Sequence, residues 1–176
     1  MIALYTPSSM PAAILPQRVA IHSRPLSLHD PATAAMTDFT RDFPITVSDV
    51  EPIGSALADM IRFGVRSMLV THGINVVGFI TSYDIEGEKP MQFLQGSTYT
   101  RHHEIQVGDI MTPLSRVAAL NWRTVRDADI EDLVDVFKHI KGSHVLVMES
   151  AGSTTYVRGI FSRTQLERQL RTILDH

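Results

Sequence analysis

Gly78-Phe79-Ile80-Thr81-Ser82-Tyr83-Asp84-Ile85 is the stretch of this chain whose residue types and spacing could do chemistry. An apolar run stops at a hydroxyl residue, and an acid follows three positions later. If the run is a buried strand that turns straight into a helix, Thr81 stands at a helix start. Backbone N–H groups there have no intrahelical partner and sit at the positive end of the dipole, which makes an anion site. Asp84, in the first turn, offers acceptors only. A carboxylate beside a phosphate-friendly helix end suits a sugar diol carrying a phosphate, that is, a nucleotide. The same residues also make an ordinary cap, with Thr at the N-cap and Asp in the first turn. From these residues alone both readings stand.

The elements that must position this stretch follow from periodicity. Phe43 to Val47 reads as a short strand. Ser48 and Asp49 read as caps of a helix whose apolar face is Ile53, Leu57, Met60 and Ile61, ended by Gly64. Arg66 to Val70 and Val76 to Ile80 read as strands around a His72-Gly73 turn, and Thr81 opens a second helix. Gly87, Pro90 and Gly96 interrupt the pattern, so residues 86 to 106 read as a connection with one short helix around Met91 to Leu94. The order then begins again. Val117 to Leu120 is apolar, and a helix capped at Asp127 or its neighbours carries Ile130, Leu133, Val134 and Phe137. Strands follow at Val145 to Met148 and Tyr156 to Phe161, and Ser162 opens a last helix with Leu166, Leu170, Ile173 and Leu174 inward.

The two stretches are copies. Ile53 matches Ile130, Leu57 matches Val134, Met60 matches Phe137 and Val70 matches Val147, at one constant separation. Gly78-Phe79-Ile80-Thr81 matches Gly159-Ile160-Phe161-Ser162 at a separation four residues greater, and Ala35-Met36-Thr37 matches Ile110-Met111-Thr112. Self-similarity over most of the chain outweighs any single motif.

With these motifs in place, the chain resembles a tandem pair of cystathionine-β-synthase (CBS) domains, the Bateman module. The carriers are Asp109-Ile110-Met111-Thr112, Val65 to Val70, and Gly78-Phe79-Ile80-Thr81-x-x-Asp84. The resemblance implies an α+β fold of two β-α-β-β-α repeats about a pseudo-twofold axis. The expected boundaries are 1–35 for an extended N-terminal arm, 36–86 for the first repeat, 87–106 for a connecting segment and 107–176 for the second repeat. It further implies a regulatory protein that holds an adenosine-containing ligand (AMP, ADP, ATP or a relative) in the cleft between the repeats. Asp84 would accept from the ribose hydroxyls and Thr81 would bind phosphate. Ile45 would wall the adenine, Met68 would lie beside the base, and Arg66 and Ser67 would complete the site. Ile45 and Met68 equally suit plain core, and Arg66 suits a solvated surface. In the second repeat Ser162 keeps the hydroxyl, Gln165 replaces the acid, and His144 stands where the first repeat has Ser67, with Trp122 nearby; that cleft is expected to be degenerate or differently selective. The alternative is a CBS-pair dimerisation or docking scaffold that holds no nucleotide. A homodimer through the helices at 49 to 63 and 162 to 174 is implied, with an effector protein outside this chain.

Composition bounds the rest. The chain has 176 residues, 44% hydrophobic, with a net charge of -3, which gives no basic surface for nucleic acid or anionic membrane. It has no cysteine, so thiolate sites and disulfides are excluded, in keeping with a cytoplasmic location. No apolar run approaches a membrane span. Pro7, Pro11 and Pro16 break the N-terminal apolar pieces, and no basic residue precedes them, so no secretory signal is expected. His102, His103 and Glu104 are adjacent in a loop and no other ligand set has metal spacing, so no metal site is expected. No Walker loop, dinucleotide turn or catalytic triad motif occurs, so neither an enzymatic activity nor a catalytic cofactor is expected.

Overall fold

The computed structural model describes residues 25–97 and 101–171. The expected α+β class holds. The strands are β1 (Thr37–Asp38), β2 (Thr46–Ser48), β3 (Ser67–His72), β4 (Asn75–Thr81), β5 (Thr112–Pro113), β6 (Ala119–Asn121), β7 (His144–Ala151) and β8 (Thr154–Ser162). The helices are α1 (Ile53–Phe63), α2 (Ser82–Glu86), α3 (Lys89–Gly96), α4 (Val107–Ile110), α5 (Trp122–Asp127), α6 (Ile130–His139) and α7 (Arg163–Arg171).

Two four-stranded sheets form, in the orders β2-β3-β4-β5 and β1-β8-β7-β6. Each takes its fourth strand from in front of the other unit. Thr37 pairs with Ile160 and Asp38 with Gly159, while Thr112 pairs with Phe79 and Pro113 with Gly78. The segments leading into these strands are exchanged as well. Leu26, Ala32 and Ala35 lie in the core of the second unit, and Ile105, Val107 and Ile110 in that of the first. Part of the expected arm is therefore packed on its own chain; residues 1–24 lie outside the described residues. The expectation of three strands per unit falls short by this exchanged fourth strand, whose two residues are too few to show a period.

The copies agree in depth. Ile53 and Ile130 are 0% exposed, as are Val70 and Val147. Both central hairpins slip register at the same place, after Val70 and after Val147. Along β3 the side chains alternate: Met68 and Val70 face α1, and Leu69 faces the other unit. Leu69, Phe79 and Leu146 form the contact between the two sheets.

Several expected details change. α1 begins at Ile53, not beside Ser48 and Asp49. Its N-cap, Pro52, makes no side-chain cap, and the Ile53 N–H donates to the carbonyl of Ile105. Ile61 is 74% exposed, and Ala56 takes the buried place. In the second unit the cap of α6 falls at Asp129, among the neighbours of Asp127, through Asp132 N–H. The extra residues before it form α5, an element the periodicity did not show. The longer second hairpin comes from longer strands, since both turns are two residues around a glycine at positive φ, Gly73 and Gly152.

Candidate functional site

Strand β4 delivers Thr81 to the start of α2, where a complete capping box forms. The Asp84 carboxylate accepts from the Thr81 N–H at 2.8 Å and from its hydroxyl at 2.7 Å, while Thr81 Oγ1 accepts from the Asp84 N–H at 3.2 Å. The other carboxylate oxygen meets the Lys89 ammonium at 2.7 Å. Lys89 Nζ also donates to the Ile110 carbonyl and the Thr112 hydroxyl, so α3 is pinned to the exchanged strand. Thr81 and Asp84 thus form the cap, and Asp84 lies in a cleft as well.

That cleft measures about 650 Å³. Thr81, Asp84 and Tyr83 line one side, and Val117, Ala118 and His144 of the second unit the other, with the cations Arg116 and Lys141 beside them. Ile45, Arg66 and Ser67 are not brought to Asp84 here. They line a second cleft of about 300 Å³, together with Ser162 and Gln165. The reason is the crossed arrangement: the opening of each unit lies against the closing turn of the other. Ile45 and Ala118 are equivalent, accepting through their carbonyls from Leu69 and Leu146. Met68 lines neither cleft; it is 2% exposed, in the core of the first unit. Arg66 is exposed, with a long contact of 3.4 Å to the Tyr83 hydroxyl. A third space of about 800 Å³ joins the clefts, and Arg66, Thr81, Ser162 and Gln165 meet around it.

His144 lines all three spaces, and its ring lies 4.9 Å from that of Phe79. Burial lowers its pKa from the usual value, and the charge of Asp84 offsets part of this. Its Nδ1 is 2.9 Å from the Ser143 hydroxyl. Trp122 is taken up elsewhere: the Arg158 guanidinium stacks on it at 4.4 Å. Lys89, Arg116 and Lys141 were missed in the sequence. The repeat itself held the signal for the second-unit wall, because whatever Ile45 does beside one closing turn, Ala118 does beside the other.

A family model for the CBS domain matches residues 36–87. The fold of the whole is also that of CBS pairs. The first unit therefore matches a CBS domain, and the two units together have the CBS-pair fold. An uncharacterized conserved protein from Pyrococcus horikoshii superposes with a TM-score of 0.58 at 21% identity, over 83% of this chain and 96% of that one. The CBS-pair protein CBSX2 from Arabidopsis thaliana gives 0.52 at 20% identity, over 85% and 99%. CBSX2 in complex with AMP gives 0.52 at 21% identity, over 83% and 98%. Among curated proteins no sequence matches. No helix among the described residues is long and apolar enough to cross a membrane.

Proposed function

We propose that this CBS pair is a regulatory sensor that holds an adenosine-containing ligand in the cleft of Thr81 and Asp84. The observation that carries this reading is a half-buried carboxylate at a helix start, facing an apolar wall, with Arg116 and Lys141 on the same cleft. A diol, a flat base and a phosphate find an acceptor, a wall and cations there. The complex of CBSX2 with AMP supports the ligand class. The role proposed is regulatory and not catalytic. Output passes to an effector protein through a change in association. The surface for a homodimer is α1, which leaves Ile61 and Phe63 exposed, whereas the exposed residues of α7 include Thr164, Gln165, Glu167 and Arg168. A cytoplasmic setting is part of this proposal.

One observation favours the scaffold reading instead: Lys89 and Thr81 already occupy Asp84. Calorimetry with AMP, ADP, ATP, S-adenosylmethionine and NADH separates the two. The sensor reading expects saturable binding of at least one ligand, weakened tenfold or more in Asp84→Asn and little changed in Gln165→Ala. A ligand at a hundredfold excess over Kd then raises stability by about 2.7 kcal/mol. Lys89→Ala, which frees an acceptor, tightens adenosine. Silence with every ligand, in wild type and Lys89→Ala alike, establishes the scaffold.

A further inference from the structure

We propose that His29, Asp129 and Glu131 form a divalent metal site on the outer edge of the second unit, away from the ligand reading above and independent of it. Their ligand atoms, one imidazole nitrogen and two carboxylate oxygens, all lie within 4.8 Å of one another. Ligands on a tetrahedral zinc ion stand about 3.4 Å apart, given bonds of about 2.1 Å. Closing the difference takes a small turn of His29 and Glu131, which are exposed.

The backbone already sets the three residues in place. The Ile130 N–H donates to the Asp30 carbonyl at 2.9 Å, and the Glu131 N–H donates to the Leu28 carbonyl at 3.0 Å. His29 is therefore held between two hydrogen bonds to the first turn of α6, and Pro31 bridges Asp129 just beyond. The cap made by Asp129 engages its Oδ1, through Asp132 N–H. The start of α6 brings about half a positive charge, and the carboxylates of Asp129, Glu131 and Asp132 outweigh it.

The first unit supplies an internal control. Its matching junction is the bridge of Pro52 with Gln106, and the corresponding residues are Glu104, Pro52 and Gly54. The same backbone thus carries a His-Asp-Glu set in one half and no such set in the other; Asp129 also caps α6, but folding does not demand His29 or Glu131. One nitrogen and two oxygens suit a borderline ion, zinc above calcium or magnesium, with water completing the shell. The bound ion would staple residues 28–31 to α6 and so fix Leu26 and Ala32 in the core of the second unit.

The test is a zinc titration of the full chain, stripped with chelator, read by calorimetry and by thermal melting, with cobalt substituted for its visible spectrum. The expected result is one saturable equivalent below about 100 μM zinc with a rise in Tm. Affinity falls at least tenfold in both His29→Ala and Glu131→Gln, and is unchanged in a variant with His102→Ala and His103→Ala. Both single changes are on exposed side chains, and metal-free melts matching wild type confirm their folding. Absence of saturable binding, binding that survives His29→Ala, or binding lost with His102 and His103 overturns the proposal.

Discussion

Val77 and Arg158 occupy the same bulge in the two sheets, and they do opposite things. Val77 packs against the core of the first unit. Arg158 reaches the exchanged strand, pairing with Asp38 at 3.1 Å and with Glu149 at 2.9 Å while covering Trp122. A second pair of positions shows the same divergence. Asp84 and Lys89 form an ion pair in the first half, and the corresponding residues in the second half are Gln165 and Leu170, so acid and base are absent together. The halves share a backbone because burial and register are the same; they differ where a side chain meets the exchanged strand or a cleft. A repeat keeps what holds the sheet and is free to change what the sheet presents.

The largest effect is expected where the halves agree. A Cβ on Gly78 would stand 2.5 Å from Met111 Sδ and 2.8 Å from the Thr112 carbonyl; one on Gly159 would stand 2.6 Å from the Thr37 carbonyl and 3.0 Å from Met36 Sδ. Each glycine lets the exchanged strand lie close. Because a backbone oxygen cannot turn aside, Gly78→Ala and Gly159→Ala should each cost about 2–3 kcal/mol in urea unfolding. A cost near zero in either would show that the exchanged strand contributes nothing there.

Next comes the bulge. Arg158→Ala should cost about 2 kcal/mol, since it leaves Asp38 and Glu149 without their cation, and Val77→Ala about 1 kcal/mol. The acid limb sharpens this contrast. Burial raises the Asp38 carboxyl, but the bonds from Arg158 and Thr40 outweigh it and hold the pKa at about 2, below the ordinary 3.8. A depressed carboxylate contributes stability above its unfolded value and loses it as pH falls through the folded value. Between about pH 4 and pH 2 the wild type should lose stability faster than Arg158→Ala, and the gap between them should narrow. A gap that stays constant would separate the salt bridge from the energetics.

The two inner helices end differently, and the cost should be smaller. α1 ends on Gly64 at φ 68, with open space around its Cβ position, so Gly64→Ala should cost about 1 kcal/mol from backbone strain alone. α6 has no such glycine; Arg163 donates to the carbonyls of Phe137, Ile140 and Gly142 and lies over the Phe137 ring. Arg163→Ala should cost about 1–1.5 kcal/mol. If Arg163→Lys restored all of it, charge alone would suffice and the planar fork would be irrelevant.

These differences show what sequence could reveal. Strand and helix identity came from periodicity, and the copy relation came from matched apolar residues whose burial agrees. The exchange did not come through, since a two-residue strand has no pattern and its partner lies far along the chain. The assignment of Ile45 and Ser67 to the cleft of Asp84 failed for the same reason: nearness in sequence stood in for nearness across the pseudo-twofold. Met68 was a matter of parity, readable from the alternation with Leu69. Lys89 lies only five residues from Asp84, but nothing local shows that the chain turns back there. His29, a hundred residues before Asp129, had no local signal at all.

The smallest expected effect lies at His144, where the first half has Ser67. Burial beside Phe79 depresses the imidazole pKa below the ordinary 6.5, and Asp84 offsets part of that. The unfolded chain therefore binds a proton at this residue before the folded one does, so stability falls as pH drops below about 6.5. A shallow decline in Tm between about pH 7.5 and 5.5 should appear in wild type and flatten in His144→Ser, which copies the first half. Asp84→Asn should steepen it, because the Asp84 charge that eases protonation is gone while the buried ring stays. A decline that Asp84→Asn leaves untouched would show that the two clefts do not feel each other through this histidine, and the halves would then be joined by packing alone.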